Sequence, residues 1–214
     1  MKAVLFDLDG TLLDTLQDIA DACNAALAGH GFPVHPVDAY RYFVGDGVPA
    51  LITRVVPRDH HDAATLANVG AAYREEYQKN WNATTRPYDG IPELLNELTQ
   101  RGLALAVLSN KPDDFTRRCV DEFLPNWRFS IVQGASQAYP PKPNPAAAVH
   151  IAAALQLPTD EFAYLGDTDT DMKTAISAGM LPVGVLWGFR TAEELSRSGA
   201  RFILEQPGDL LQRL

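Results

Sequence analysis

The stretch FDLDGTLLDT, residues 6–15, decides how this chain is read. The apolar run KAVLFDL, from Lys2 to Leu8, reads as a buried strand. It ends in two carboxylates two residues apart, followed at once by Gly-Thr. Asp7 and Asp9 share parity, so an extended backbone aims both the same way. Two carboxylates aimed together repel unless a cation or a shared proton lies between them. The arrangement needs a reason, and the rest of the chain can be searched for one.

Working outward, the apolar spacing of Leu16, Ile19, Ala20, Cys23, Ala26 and Leu27 predicts a helix that Gly29 and Gly31 stop. From Pro33 to about Thr84 no strand is evident, and helices are expected near 37–44, 48–55 and 62–81. After Pro87 the texture changes. A helix capped by Asp89 (IPELLNELTQR) precedes the apolar strand LALAVLS, 103–109. Further helices are expected near 113–123, 145–155 and 169–178, with strands near 129–132, 162–166, 182–188 and 201–204, then a C-terminal helix.

Strand–helix alternation with nearly continuous apolar strands predicts an α/β fold: a doubly wound parallel sheet, Rossmann-like, covered on both faces. The first strand needs the second half of the chain to complete its sheet. Residues 15–84 therefore read as an inserted all-helical domain, with 1–14 and 85–214 forming the core.

Composition narrows the chemistry. The chain has 214 residues, 46% of them apolar and 21% charged, as in ordinary globular proteins. A formal charge of −9 argues against nucleic-acid or anionic-membrane partners, so an anionic substrate would need local positive charge, which a metal supplies. Cys23 and Cys119 have no metal-ligand or CxxC spacing and read as reduced thiols. No segment approaches a membrane span, and Asp7 and Asp9 interrupt any secretory apolar region, so a cytoplasmic location is expected.

In an open parallel sheet, ligands bind beyond the carboxyl ends of the strands. The polar residues there are Asp7 and Asp9, then Ser109-Asn110-Lys111, then Lys142 in PPKPNP, then the acids of GDTDTD. Acids, a hydroxyl and lysines from four separate places suit phosphoryl transfer. Magnesium prefers oxygen ligands, and Asp7 with an acid of GDTDTD could hold it. A carboxylate can attack phosphorus, and a second acid can protonate the leaving oxygen.

On these residues the sequence resembles the haloacid dehalogenase-like hydrolase superfamily. FDLDGTLLDT matches its first motif, LSN (108–110) its second, Lys142 in PKPNP its third and GDTDTDMKTAISAG (166–179) its fourth. The resemblance implies a magnesium-dependent phosphatase working through an aspartyl-phosphate, with Asp7 as nucleophile and Asp9 as general acid/base. Ser109 and Lys142 would bind the transferring phosphoryl group, with Thr11 and Asn110 also at the substrate, and Lys142 would hold the Asp7 carboxylate. Asp7, the Asp9 backbone carbonyl and Asp167 would ligate Mg²⁺, with Asp171 supporting it through water. The insertion looks like the family's mobile cap, and YFVGDGV (42–48), with Gly45 and Gly47, resembles the specificity loop of phosphoglycolate phosphatases.

The substrate implied is a small phosphorylated metabolite, 2-phosphoglycolate first, handled by a monomer or homodimer. A β-phosphoglucomutase-like mutase is the nearest alternative, although Thr11 and Ile19 stand where that pattern carries Val and His. A pyrophosphatase or nucleotidase of the same fold also remains open. Arg41, Arg54, Arg74 and Lys79 are expected to solvate helix faces, and Trp187 to pack the core.

Overall fold

The computed structural model describes all 214 residues, which divide into two compact units: Met1–Leu13 with Pro87–Leu214, and Asp14–Arg86. Along the chain, β1 (Ala3–Phe6) is followed by β2 (Leu13–Asp14). Four helices then succeed one another: α1 (Leu16–Gly29), α2 (Tyr40–Phe43), α3 (Val48–Val55) and α4 (Ala63–Asn80). β3 (Arg86–Pro87) pairs with β2 where the chain returns. Next come α5 (Ile91–Gln100), β4 (Ala104–Pro112), α6 (Asp113–Phe123) and β5 (Ile131–Ala135). The chain ends with α7 (Ala146–Ala154), β6 (Phe162–Gly166), α8 (Asp169–Ala178), β7 (Leu181–Val185), α9 (Ala192–Arg197) and β8 (Phe202–Leu204).

The first unit is a six-stranded parallel sheet in the order β5-β4-β1-β6-β7-β8, flanked by helices, as the alternation predicts. β1 lies between β4 and β6, in register from Ala3↔Ala104 to Phe6↔Val107 and from Ala3↔Phe162 to Phe6↔Leu165. Every β1 residue is fully buried, which is why its sequence is apolar without alternation. Alternate residues Leu5, Ala106, Leu108 and Phe162 pack with the small side chains of α7 and α8, including Ala148, Ala152 and Ala175, in one apolar cluster. Strand order reverses at β1, and that places the ligand crevice at its carboxyl end.

Several boundaries differ from expectation, each for a local reason. β1 ends at Phe6. The Asp7 N–H still donates to the Leu165 carbonyl (2.9 Å), but the Leu8 carbonyl then collects the N–H groups of Thr11, Leu12 and Leu13 at 3.2, 3.0 and 3.0 Å. Gly10, at φ +85°, allows that turn. β4 runs on to Pro112 and so carries Ser109, Asn110 and Lys111 within a buried strand. β5 starts at Ile131, and β7 stops at Val185, leaving Trp187 in the following loop. α5 is entered through Gly90 at φ +86°, not capped by Asp89. α9, which is not among the helices expected from the sequence, has a capping box, Thr191 with Glu194. The expected C-terminal helix is a 3-10 turn, Pro207–Gln212.

The second unit is helical, and three polar clusters organise it. Asp18, in the first turn of α1 and 2% exposed, accepts the N–H and hydroxyl of both Thr84 and Thr85. Asn24 exchanges two hydrogen bonds with the His35 backbone, and its side-chain oxygen also accepts the Tyr40 hydroxyl. Arg54, expected on a solvated helix face, pairs with Asp46 and donates to the Phe43 carbonyl at 2.9 Å. It thereby braces the loop that holds Gly45 (φ +126°) and Gly47 (φ +84°). No helix of the protein is long and apolar enough to cross a membrane.

Candidate active site

The chain brings its acids and lysines together just beyond the carboxyl ends of β1, β4 and β6. Asp7 follows β1 directly, Asp167 and Asp171 flank the start of α8, and Lys142 reaches in from the loop before α7. Carboxylate oxygens of Asp7, Asp167 and Asp171 lie within 4.8 Å of one another, and all three residues are buried. Lys142 Nζ stands 2.9 Å from Asp7 Oδ1 and donates to Asp171 Oδ1 at 2.6 Å. The lysine that the family resemblance assigns to Asp7 is thus in contact with it.

Each carboxylate is held differently. Both Asp171 oxygens are committed: Oδ1 to Lys142 and to the Tyr164 hydroxyl (3.4 Å), Oδ2 to the Thr168 N–H and hydroxyl (3.0 and 2.6 Å). Thr168 also caps α8, so the acid is locked to the helix start. Asp167 accepts the Thr11 hydroxyl at 3.1 Å and the Phe189 N–H at 2.9 Å. At Asp7 Oδ1 the ion pair with Lys142 lacks hydrogen-bond alignment, leaving that buried oxygen without a directed partner.

The electrostatics show an excess of buried negative charge. Burial pushes the Asp7 carboxyl up to about 7; Lys142 pulls it down, and the charge of Asp171 raises it further. Burial also holds Asp167 well above the usual carboxylate range, assisted by Asp171 and Asp7. Lys142 is held firmly protonated because Asp171 and Asp7 outweigh the effect of its burial. When all are ionised, three carboxylates face one ammonium and two negative charges stay unbalanced. Hard oxygen donors, one lacking a directed partner, with that excess charge, fit a divalent cation of the magnesium type. The residues that would hold it are Asp7 and Asp167, with Asp171 behind them.

The opening pair of acids turns out to be separated. Asp9 is directed away from this cluster to Lys111, whose Nζ lies 2.9 and 3.2 Å from its two oxygens. Any part Asp9 plays at a metal therefore falls to its backbone, as the resemblance implies. Its charge raises Asp7 less than burial or Asp171 does.

Three expected substrate residues also have partners within the protein. The Thr11 hydroxyl donates to Asp167, and the Thr11 carbonyl accepts Trp187 Nε1–H at 2.9 Å. The Asn110 side chain brackets the Lys142 backbone, accepting its N–H at 2.9 Å and donating to its carbonyl at 3.1 Å. Ser109 is buried, and its hydroxyl accepts the Lys111 N–H at 3.2 Å. Gly45 and Gly47 belong to the second unit.

Sequence reasoning missed the residues behind the acids. Trp187, assigned to core packing, is half-buried and bonded to the Thr11 carbonyl. A Cβ at Gly188 would meet the Asp167 Cβ and the Gly10 carbonyl at 2.3 Å, so only glycine lets this loop reach Asp167.

Residues 4–185 match the haloacid dehalogenase-like hydrolase family. The chain belongs to that family. Among curated relatives, a phosphoglycolate phosphatase of Aquifex aeolicus is 30% identical over 99% of this chain and 96% of its own length. One from Vibrio parahaemolyticus is 29% identical, covering 99% and 95%. A solved structure from Lactobacillus delbrueckii, 29% identical, superposes with a TM-score of 0.93 over 99% of this chain and 97% of that one. The expected fold and enzyme class, a phosphatase of this family, are borne out.

Proposed function

We propose that the protein is a magnesium-dependent phosphomonoester hydrolase acting on a small phosphorylated metabolite, with 2-phosphoglycolate the leading candidate. The observation that carries the reaction is Asp7: a buried carboxylate at the switch point of the sheet, 2.9 Å from Lys142 and clustered with Asp167 and Asp171. The substrate candidate is supported by whole-length relatives bearing that name.

In this reading an Asp7 oxygen attacks phosphorus. The ester P–O bond breaks as the Asp7 O–P bond forms, and Asp9 gives its proton to the departing alkoxide. Asp9 then takes a proton from water as the water oxygen attacks phosphorus, releasing phosphate and restoring Asp7. Lys142 neutralises charge on the equatorial oxygens while keeping Asp7 ionised and oriented. Ser109 supports that cradle, and Asn110 fixes it by holding the Lys142 backbone. Bound magnesium would supply charge neutralisation for the phosphoryl oxygens and for the crowded carboxylates. The helical unit is the proposed cap, with the braced Gly45–Gly47 loop as its substrate-reading element and exclusion of water as its task.

The test is phosphate release from a panel of phosphorylated metabolites, with Mg²⁺, with chelator and with Asp7→Asn. Metal-dependent release led by 2-phosphoglycolate and abolished in Asp7→Asn is the expected outcome. Turnover by Asp7→Asn would sink the reaction; release led by another ester would move the substrate alone.

A further inference from the structure

We propose that Lys111 is a positioning residue that fixes the Asp9 carboxylate for proton transfer to the leaving group; this rests on the role proposed above for Asp9. The observation is a buried ion pair. Lys111 Nζ contacts both Asp9 oxygens, with the two side chains only 4% and 11% exposed.

A buried ammonium is expensive unless paired, and an apolar residue at the same point of β4 would be cheaper if packing were all that mattered. Stitching the segments together is not a sufficient reason. β1 and β4 are already joined through four registered residue pairs immediately upstream. The lysine backbone is itself fixed at both ends: its N–H donates to Ser109 Oγ at 3.2 Å and its carbonyl accepts Thr116 Oγ1–H at 3.1 Å. That anchoring sets where the ammonium can reach.

The two buried lysines divide the acids between them. Lys142 takes Asp7 and Asp171, while Lys111 takes Asp9. An in-line displacement needs attack on one side of phosphorus and departure on the other. Drawing two acids only two residues apart to different cations separates the attacking group from the proton donor. A carboxylate gripped by both oxygens is also held in one rotamer, and small misplacements of a reacting group cost about 100-fold in rate.

The discriminating readout is dependence on the leaving group. An alkyl phosphate needs a proton on its departing oxygen, whereas p-nitrophenyl phosphate scarcely does. The wild type, Lys111→Met, Lys111→Arg and Asp9→Asn would be compared by kcat/KM on both esters, with thermal unfolding to verify each fold. General-acid catalysis is worth about 10²–10⁴-fold. Lys111→Met should therefore lose on the order of 10²-fold on the alkyl ester and less than about tenfold on p-nitrophenyl phosphate. Lys111→Arg, which restores a charge and two parallel donors, should recover part of the alkyl activity.

Equal losses on both esters in Lys111→Met would mark a structural role and overturn the inference. A selective loss in Asp9→Asn without one in Lys111→Met would overturn it while leaving the proposed function standing. No selectivity in Asp9→Asn would remove the acid role of Asp9 and this inference with it. If Lys111→Met fails to fold, the same ratio is read on Lys111→Gln.

Discussion

Replacing Lys142 by methionine keeps much of the side-chain volume and removes the one ammonium that faces Asp7 and Asp171. Lys142 is 5% exposed, with its Nζ 2.9 and 2.6 Å from the two carboxylates. Breaking a buried pair by deleting one partner costs about 3–5 kcal/mol, because the remaining charge stays buried. The sign of the pH dependence follows from Asp7. Its carboxyl is raised by burial to about 7, so the metal-free folded protein keeps a proton that the unfolded chain releases. The contribution of Asp7 to stability therefore falls as pH rises from about 4 towards 7. Lys142 limits that fall by favouring the ionised form. Without it the proton is retained to higher pH, and the fall continues above 7 at up to about 1.4 kcal/mol per pH unit. Urea unfolding of the metal-free wild type and Lys142→Met between pH 5 and 9 should show the smallest gap at pH 5 and a widening one above pH 7. Turnover should drop by about 10²–10³. A gap below about 1 kcal/mol at pH 8 that does not change with pH would refute the assignment of Lys142 as the counter-charge.

Three further outcomes follow from other parts of the molecule. Asp18→Asn turns an acceptor of the Thr84 and Thr85 donors into a donor facing them, and should cost about 2–4 kcal/mol in urea unfolding; a loss under about 1 kcal/mol would show that the cluster does not hold the second unit. Gly188→Ala forces a Cβ against Asp167 and the Gly10 carbonyl, so half-saturation by Mg²⁺, read by calorimetry, should weaken about 10–100-fold while the fold survives. Cys23 and Cys119 are both buried, and burial pushes the Cys23 thiol up, so neither should react with a thiol reagent until the protein is unfolded in guanidinium.

Much of the fold was legible because its strands are buried on both faces and read as unbroken apolar runs between helices. Legibility ended where tertiary partners decide the structure. Parity suggested that Asp7 and Asp9 point together, but the strand stops at Phe6 and a turn around the Leu8 carbonyl intervenes. Lys111 reads as one of the polar residues at the end of its strand, but nothing near it in sequence names its partner, since Asp9 lies 102 residues away. Asp18 looks like an ordinary acid in the first turn of a helix; only the return of the chain at Thr84 and Thr85 gives it a function. The motifs place Thr11 and Asn110 at the site, while their bonds to Asp167 and to the Lys142 backbone are visible only in the fold. Sequence motifs identify which residues gather, while the hydrogen bonds show which ones hold the others in place.

The central claim is that Asp7 carries the phosphoryl group between substrate and water. Acid quenching of the magnesium-loaded enzyme during turnover, followed by mass spectrometry of the peptide containing Asp7, tests it most directly. The account predicts a peptide heavier by one phosphoryl group, labile to hydroxylamine, present during turnover and absent in Asp7→Asn. Steady phosphate release with no phosphoryl group on that peptide at any quench time would contradict it.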